Sequence, residues 1–260
     1  MKNLFDLTGK TAVVTGGAGL LGRAYAQGVA LFGADVFIAD INSGVGNKVA
    51  EELRSQDLKV GFVPLDISDV ASIEACAFEI LKKKSRIDIW VNNAYPRTKD
   101  WHLPFEKIPP ESWRKNVDGH LNGYCFCCQK VLEVMKRQKK GSLINIASTY
   151  GINGPDFSIY EGTEMTMPAA YAVIKGGLVN FTKYLASYYA KHGVRVNALS
   201  PGGVFDNQPE SFVKNYNKKT PLGRMARPED MVGAIVYLAS DASSYVTGHN
   251  LVVDGGWSAV

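Results

Sequence analysis

The 260-residue chain lacks a long hydrophobic run, a cysteine framework and a large excess of either charge. No apolar run approaches the ~20 residues of a membrane-spanning helix, and the N-terminal segment has no signal-peptide core. The four cysteines, three of them within Cys125–Cys128, match neither a disulfide framework nor a zinc site. These absences lead us to expect a cytoplasmic protein in a reducing compartment, with no bound metal and no membrane contact.

The net charge is only +4, and the composition is 46% apolar and 21% charged. Such values are ordinary for one large globular domain, here residues 1–260. The two basic runs, at 82–84 and 136–140, fall at the ends of predicted helices, where cations interact favourably with the helix dipole. We therefore expect no nucleic-acid partner and a small-molecule substrate.

Short apolar runs alternate with helical segments along the chain. The predicted strands are 11–15, 36–39, 60–63, 87–91, 143–147, 195–199 and 250–253, and one long helix is predicted over 111–137. The alternation predicts an α/β fold in which helices cover both faces of a doubly wound parallel sheet of about seven strands. The least regular stretches, 92–108, 149–170 and 203–222, all follow strands. Ligands bind such sheets at the carboxyl ends of the strands, so these stretches are expected to build one site.

A glycine-rich turn, Thr15–Gly22, follows the first strand and opens a helix. Glycines at 16, 19 and 22 would let the backbone approach a phosphate closely. Asp40 ends the second strand 18 residues after Gly22, where a carboxylate can bind an adenosine ribose and repel a 2′-phosphate. The pattern predicts NAD(H), with NADP disfavoured. Alternatively, the glycines serve only to turn the chain, and Asp40 is a polar strand end.

Tyr171 and Lys175 are four residues apart, so a helix would place both side chains on one face. A neighbouring ammonium lowers the pKa of a phenol, which otherwise lies near ~10, and so prepares it for proton transfer. Ser148 follows an apolar strand-like run and could donate a hydrogen bond to a substrate oxygen. Taken alone, a Tyr–Lys pair at this spacing is common on helix surfaces.

Several motifs in order along nearly the whole chain resemble the short-chain dehydrogenase/reductase family, of the single-domain Rossmann type. They are the glycine turn, Asp40, Asp66-Ile67, Asn92-Asn93-Ala94, Asn116, Ser148, Tyr171-x-x-x-Lys175, Pro201-Gly202, Thr247-Gly248 and Asp254-Gly255-Gly256. The stretch 155–167 and the loop at 203–208 also resemble members from bacterial surface-glycan and nonulosonate sugar pathways.

The resemblance implies roles for individual residues. Tyr171 would be the acid–base group, Lys175 would lower its pKa and hold the nicotinamide ribose, Ser148 would bind the substrate oxygen, and Asn116 would hold a water. The implied cofactor-binding residues are Gly16, Gly19, Leu21, Gly22, Asp40, Ile41, Asp66, Ile67, Asn93, Ala94, Tyr171, Lys175, Pro201, Gly202 and Val204. The expected substrate contacts are Tyr95, Arg97, Thr149, Tyr150, Tyr160 and Phe205. The family also implies a homo-oligomer, a tetramer or a dimer.

The chain departs from the family pattern at several positions. Leu20 stands at the usual middle glycine of the turn, and Tyr95 replaces the glycine that usually ends the fourth-strand motif. Ser148 and Tyr171 are 23 residues apart, further than is usual, because residues 155–167 intervene. This insertion is polar and aromatic, and we expect it to cover the substrate entrance. Its Asp156, Tyr160, Glu161, Thr163 and Glu164 would suit sugar hydroxyls, because polar sites discriminate by hydrogen bonds; the alternative is an adventitious surface loop.

The sequence thus predicts an NAD-dependent oxidoreductase that interconverts a secondary alcohol and a ketone, on a sugar or sugar phosphate. Arg97 and Lys99 could bind a phosphate or carboxylate, or could simply be exposed loop cations. One alternative is a reductase of acyl or other carbonyl compounds. Another, of a different class, is a catalytically idle NAD-binding sensor or scaffold.

Overall fold

Seven parallel strands form one sheet in the order β3-β2-β1-β4-β5-β6-β7 in the computed structural model, which describes residues 3–260. The strands are β1 Thr11–Thr15, β2 Asp35–Asp40, β3 Val60–Pro64, β4 Ile89–Asn92, β5 Gly141–Ile146, β6 Val194–Pro201 and β7 Asn250–Val253. The order reverses between β1 and β4, which leaves a crevice at the carboxyl ends of these two strands. The predicted doubly wound parallel sheet is confirmed.

Helices cover both faces of the sheet. They are α1 Leu20–Leu31, α2 Ser43–Arg54, α3 Val70–Lys84, α4 Pro110–Asn116, α5 Gly123–Gln138, α6 Ala169–Tyr189, α7 Glu210–Lys219 and α8 Val232–Ala239. Alternate strand residues face opposite layers, so Val13 of β1 packs in the core with α3, α5 and α6, and Val14 packs in the core with α1, α2 and α8. Among residues 3–260, no helix is long and apolar enough to span a membrane.

One local expectation is confirmed with a refinement and another was wrong. The long helix predicted over 111–137 is present as a continuous run from Pro110 to Gln138, but its middle, Val117–Asn122, is π-helical and separates α4 from α5. The stretch 203–222, expected to be irregular, contains α7, whose Phe212 and Tyr216 are buried. Both features depend on packing against distant residues, which local periodicity does not report.

Buried side-chain amides tie β4, β5 and α6 together below the carboxyl edge. Asn92 Nδ2 donates to Asn145 Oδ1 at 2.9 Å, and Asn145 Nδ2 donates to Thr182 Oγ1 at 3.0 Å. These residues are 1% exposed or less, and satisfied buried polar pairs have a strong geometric preference. The chain of hydrogen bonds sets the position of α6, which carries Tyr171 and Lys175, relative to the strand that leads to Ser148.

Candidate active site

The main cleft lies at the carboxyl edge of the sheet and has a volume of ≈ 720 Å³. Its walls include the ends of β1, β2, β4, β5 and β6 and the start of α6. The predicted site residues that line it are Gly16, Gly19, Leu21, Gly22, Asp40, Ile41, Asp66, Ile67, Asn93, Ala94, Tyr95, Arg97, Ser148, Tyr150, Tyr171, Lys175, Pro201, Gly202 and Val204. The fold therefore brings residues from most of the chain's length into one cavity.

Backbone forms the wall at the glycine turn. Gly16 adopts φ +60°, and a Cβ on Gly22 would lie 2.2 Å from Gly16 O, so neither position readily accepts a larger residue. Asn93 Nδ2 donates to the carbonyl oxygens of Thr15 and Gly16 at 2.9 and 3.1 Å, which holds the turn against the end of β4. The N-terminus of α1, with Gly19 as N-cap, has no side-chain cap. These uncapped amides beside close-packed backbone fit the pyrophosphate of a dinucleotide.

Asp40 is held in place at the end of β2. Its Oδ2 accepts a hydrogen bond from the Ala18 N–H at 3.1 Å and its Oδ1 accepts one from the Asn42 N–H at 3.0 Å. Its neighbours along the cavity include Ile41 and the second carboxylate, Asp66. The lysine and the arginine among the lining residues are Lys175 and Arg97. Both lie at the opposite end of the cavity from Asp40.

Ser148, Tyr171 and Lys175 meet at that opposite end. Ser148 follows β5, and its Oγ accepts a hydrogen bond from the Tyr150 N–H at 3.2 Å. Lys175 is 4% exposed, and its Nζ donates to the Ile146 carbonyl oxygen at 2.6 Å. The same Nζ lies 5.4 Å from the centre of the Tyr171 ring. A hydroxyl, a phenol and an ammonium therefore share one wall of the cavity, which is the donor set that proton transfer to a substrate oxygen requires.

Burial governs the pKa values at this end. It lowers the pKa of Lys175 to about 7. It also raises the pKa of Tyr171, against a smaller lowering by the hydrogen bond with Ser148. The sequence predicted that Lys175 would lower the pKa of Tyr171, but the net shift is upward, and desolvation is its largest cause.

Asn116 lies apart from this group. Its Nδ2 donates to Thr98 Oγ1 and to the Ser112 carbonyl oxygen, both at 2.8 Å, and its Oδ1 accepts from the Thr98 N–H at 3.0 Å. The amide thereby ties the loop after β4 to α4 and does not line the cavity. The hydrogen-bond partner of Lys175 from this region is instead His120, whose Nε2 is 3.3 Å from Nζ. Sequence reasoning missed this contact, which joins two residues 55 positions apart in the chain.

Aromatic rings form the wall beside Tyr171. The Tyr95 ring lies edge-on to those of Tyr171 and Trp101, at 5.4 and 5.3 Å between centres. The guanidinium of Arg97 lies 5.3 Å from the Tyr95 centre and 5.5 Å from the Trp101 centre. Arg97 is exposed and forms no ion pair with any described residue. Trp101 lines the cavity but was absent from the predicted contacts, although it lies in the same loop as Tyr95 and Arg97.

The insertion packs along α7, contrary to the expectation that it covers the entrance with sugar-binding groups. Ile159 is 0% exposed and joins a small core with Phe212, Tyr216 and Met225. Asp156 pairs with Lys219, which lowers the pKa of the carboxyl to about 2. Of residues 155–167, only Met167 lines the cavity.

Three other predicted substrate contacts, Thr149, Tyr160 and Phe205, do not line the cavity. Thr149 is buried, Tyr160 packs against Phe212 at 5.3 Å between ring centres, and Phe205 faces solvent. The residues after β6 that reach the cavity are instead Gly202, Val204, Asp206 and Gln208.

Known proteins resemble this chain over its whole length. A family model described as "Enoyl-(Acyl carrier protein) reductase" matches residues 16–258. "Post-translational flagellin modification protein A" of Campylobacter coli is 33% identical over 253 residues, which cover 96% of this chain and 99% of that protein. A 3-oxoacyl-acyl-carrier-protein reductase of Chlamydia pneumoniae is 34% identical over 254 residues, 96% and 97% of the two chains.

The comparison with solved structures agrees with the comparison of sequences. The crystal structure of a gluconate 5-dehydrogenase from Burkholderia cenocepacia J2315, in complex with NADP and tartrate, superposes with a TM-score of 0.88 at 29% identity and covers 99% of this chain and 98% of its own. With the matched family model, these likenesses show that the chain belongs to the short-chain dehydrogenase/reductase family of oxidoreductases.

Proposed function

We propose that the protein is an NAD(H)-dependent oxidoreductase that interconverts a secondary alcohol and a ketone on an anionic, polyhydroxylated small molecule of the sugar type. One observation carries the proposal: a single cavity joins a glycine turn and Asp40 at one end to Ser148, Tyr171 and Lys175 at the other. When bound, the nicotinamide supplies or accepts the hydride. The roles below are those of this chain's own residues.

Tyr171 transfers the proton to or from the substrate oxygen, and Ser148 donates a hydrogen bond to that oxygen. Lys175, buried and held by the Ile146 carbonyl, provides positive charge beside the phenol and one further N–H toward the cavity. Positive charge stabilises the phenolate that forms when the proton leaves. The glycine turn, Asp40, Asp66 and Asn93 hold the dinucleotide.

The preference for NAD rests on the charges around Asp40. Its fixed carboxylate and the nearby Asp66 would repel a 2′-phosphate, and within residues 3–260 no lysine or arginine lines this end of the cavity. The Burkholderia relative was crystallised with NADP, so the two chains are expected to differ here.

The substrate class rests on Arg97. An exposed guanidinium on two aromatic rings, without an ion-pair partner among residues 3–260, is available to a carboxylate or phosphate. Asp206 and Gln208 add polar groups on the facing wall, which suit hydroxyls. The Burkholderia gluconate 5-dehydrogenase was crystallised with tartrate, a hydroxylated dicarboxylate, and this likeness supports an acidic polyol as the substrate.

Reduction of an acyl carbonyl is the second candidate, favoured by the matched family description and the Chlamydia relative. A panel of sugar acids, sugar phosphates, neutral polyols and 3-oxoacyl thioesters, each assayed with both nicotinamide cofactors, separates the two. We expect turnover of an anionic polyol with NAD. Turnover confined to the thioesters would favour the reductase, and no turnover with any compound would favour the idle NAD-binding alternative.

Arg97→Gln sharpens the test. It should raise KM for the anionic substrate by about tenfold, the size of one charge-assisted hydrogen bond. Lys99→Gln, an exposed cation on the same loop that does not line the cavity, is the matched control and should leave KM unchanged. Equal effects of the two substitutions would contradict a specific anion site.

We also propose a homo-oligomer. Val173, Tyr184 and Tyr188 on α6 are each more than half exposed, and Tyr184 stacks on Tyr188. An aromatic stripe of this kind on one helix face suits burial against another copy. Light scattering at micromolar concentration should show a dimer or tetramer, and Tyr184→Glu should shift it toward monomer. Tyr245→Glu, at a fully exposed tyrosine elsewhere, should not.

A further inference from the structure

Lys175 has an unusual partner. Its Nζ lies 3.3 Å from His120 Nε2, and both side chains are buried, at 4% and 1% exposure. An ammonium can only donate hydrogen bonds, so with Lys175 charged the Nε2 atom must accept. The ring proton of His120 then belongs on Nδ1.

The π-helical segment makes this contact possible. His120 lies within Val117–Asn122, between α4 and α5. A π segment inserts extra backbone into a helical turn and redirects the side chains that follow, and such segments occur often at functional sites. The side chain of Asn116, one turn earlier, forms hydrogen bonds with Thr98 and Ser112 and none with Lys175.

Among residues 3–260, the groups that surround Lys175 carry no compensating negative charge. The groups that face it are the Ile146 carbonyl, the His120 imidazole and the rings of Tyr95, Tyr124 and Tyr171, at 5.4–5.8 Å. No carboxylate of residues 3–260 forms an ion pair with it. A buried cation without a counter-ion is stabilised only by acceptors and ring faces, so each acceptor matters.

The rest of the His120 ring is unsatisfied. Its Nδ1, like the hydroxyls of Tyr95 and Tyr124 that flank it, is buried without a hydrogen-bond partner in the described chain. The Tyr95 and Tyr124 rings lie 5.0 and 5.1 Å from the imidazole centre. A buried polar atom left unpaired calls for an explanation, such as a functional role for the group that carries it.

We propose that His120 is a positioning residue: its neutral imidazole accepts a hydrogen bond from Lys175 and keeps that ammonium charged and directed at the cavity beside Tyr171. The proposal rests on the proposed function, because it assigns His120 to the same proton-transfer group. Burial, and then the charge of Lys175, hold the pKa of His120 well below its usual range, which agrees with a neutral acceptor.

Two substitutions distinguish the role of the hydrogen-bond acceptor of His120 from the role of its imidazole ring. His120→Leu keeps much of the volume but removes the acceptor, and His120→Gln retains an acceptor near the position of Nε2. His120→Leu should lower kcat by about tenfold or more, because a charge-assisted hydrogen bond is lost. An ammonium without its acceptor loses its proton more easily, so the alkaline limb of kcat/KM should move to lower pH by about one unit. His120→Gln should restore most of kcat and the wild-type pH profile.

Unchanged kcat and pH profile in His120→Leu would overturn the proposal. So would a His120→Gln enzyme as slow as His120→Leu, because the ring itself would then be required. A purely structural role would lower Tm in both variants without moving the pH profile.

A spectroscopic measurement keeps the test independent of catalysis and of the folding of either variant. In ¹⁵N-histidine-labelled wild type, which has four histidines, the His120 resonances at pH 6, where Lys175 is protonated, should show a neutral ring protonated on Nδ1. Lys175→Met should change its Nε2 shift. An imidazolium at pH 7, or an Nε2 shift unaffected by Lys175→Met, would overturn the proposal. If the wild type turned over no substrate, the proposed function would fail while these spectra still decided the His120–Lys175 contact.

Discussion

At the glycine-turn end of the cavity the wall is mostly backbone, while at the Tyr171 end it consists of side chains from distant segments. The first end comes from one continuous stretch, β1 and the start of α1, with Asp40 beside it. The second combines the loop after β4, the end of β5 and the start of α6. The comparison suggests that substitutions at one end should impair cofactor binding and those at the other should impair chemistry, with little overlap.

The largest effect is expected at the Tyr171 end. Tyr171→Phe removes only the hydroxyl, so kcat should fall by ~10²–10⁴-fold while Kd for NAD stays nearly constant. Tyr245→Phe is the matched control, since Tyr245 is fully exposed, does not line the cavity and should retain full activity. Steady-state kinetics and cofactor titration on the same preparations measure both quantities. A Tyr171→Phe enzyme with more than about a tenth of wild-type kcat would contradict the acid–base role.

The next effect is expected at the glycine turn. A Cβ on residue 22 would approach Gly16 O to 2.2 Å, so Gly22→Ala must displace the backbone. Displacement of this wall should raise Kd for NAD by about 100-fold. In Gly44→Ala, on α2 and outside the cavity, the added carbon would meet Asn42 Oδ1 at 3.6 Å, an ordinary contact, and Kd should change far less. Equal Kd values in the two variants would show that the close packing at Gly22 does not shape the cofactor wall.

A smaller effect concerns which cofactor binds. Asp40→Ala removes the carboxylate that would repel a 2′-phosphate, so the ratio of kcat/KM for NAD to that for NADP should fall by about tenfold. Asp57→Asn is the control, because Asp57 is an exposed carboxylate that does not line the cavity, and the ratio should stay unchanged in this variant. Kinetics with both cofactors give the ratio. A wild-type enzyme that prefers NADP would overturn the assignment.

The smallest effect on activity is expected from the insertion, because it is built into a core rather than into the cavity. Ile159→Ala leaves a void among Phe212, Tyr216 and Met225, which costs about 2–5 kcal/mol of unfolding free energy. Tm should therefore fall by roughly 5 °C or more, while Kd for NAD should not move. Met165→Ala, at a partly exposed position of the insertion, should leave Tm within about 2 °C. A strong loss of kcat/KM in Ile159→Ala at unchanged Tm would instead show that the insertion contributes to substrate binding.

The sequence alone predicted much of the fold because its signals are local. Strand–helix alternation predicted the seven-stranded parallel sheet, and the glycine turn with Asp40 predicted one end of the cavity. The spacing of Tyr171 and Lys175 placed both on α6, since four residues make about one helical turn. These features depend on backbone conformation and periodicity, which neighbouring residues largely determine.

Only the tertiary structure decided the partners of these residues. It directed Asn116 to Thr98 and Ser112, placed His120 beside Lys175 and packed the insertion on α7. It also showed that burial raises the pKa of Tyr171, against the expected lowering by Lys175. Contacts and desolvation arise between segments far apart in the chain, so no local pattern encodes them. His120, which meets Lys175, lies in a π-helical turn that the local pattern of residues did not predict.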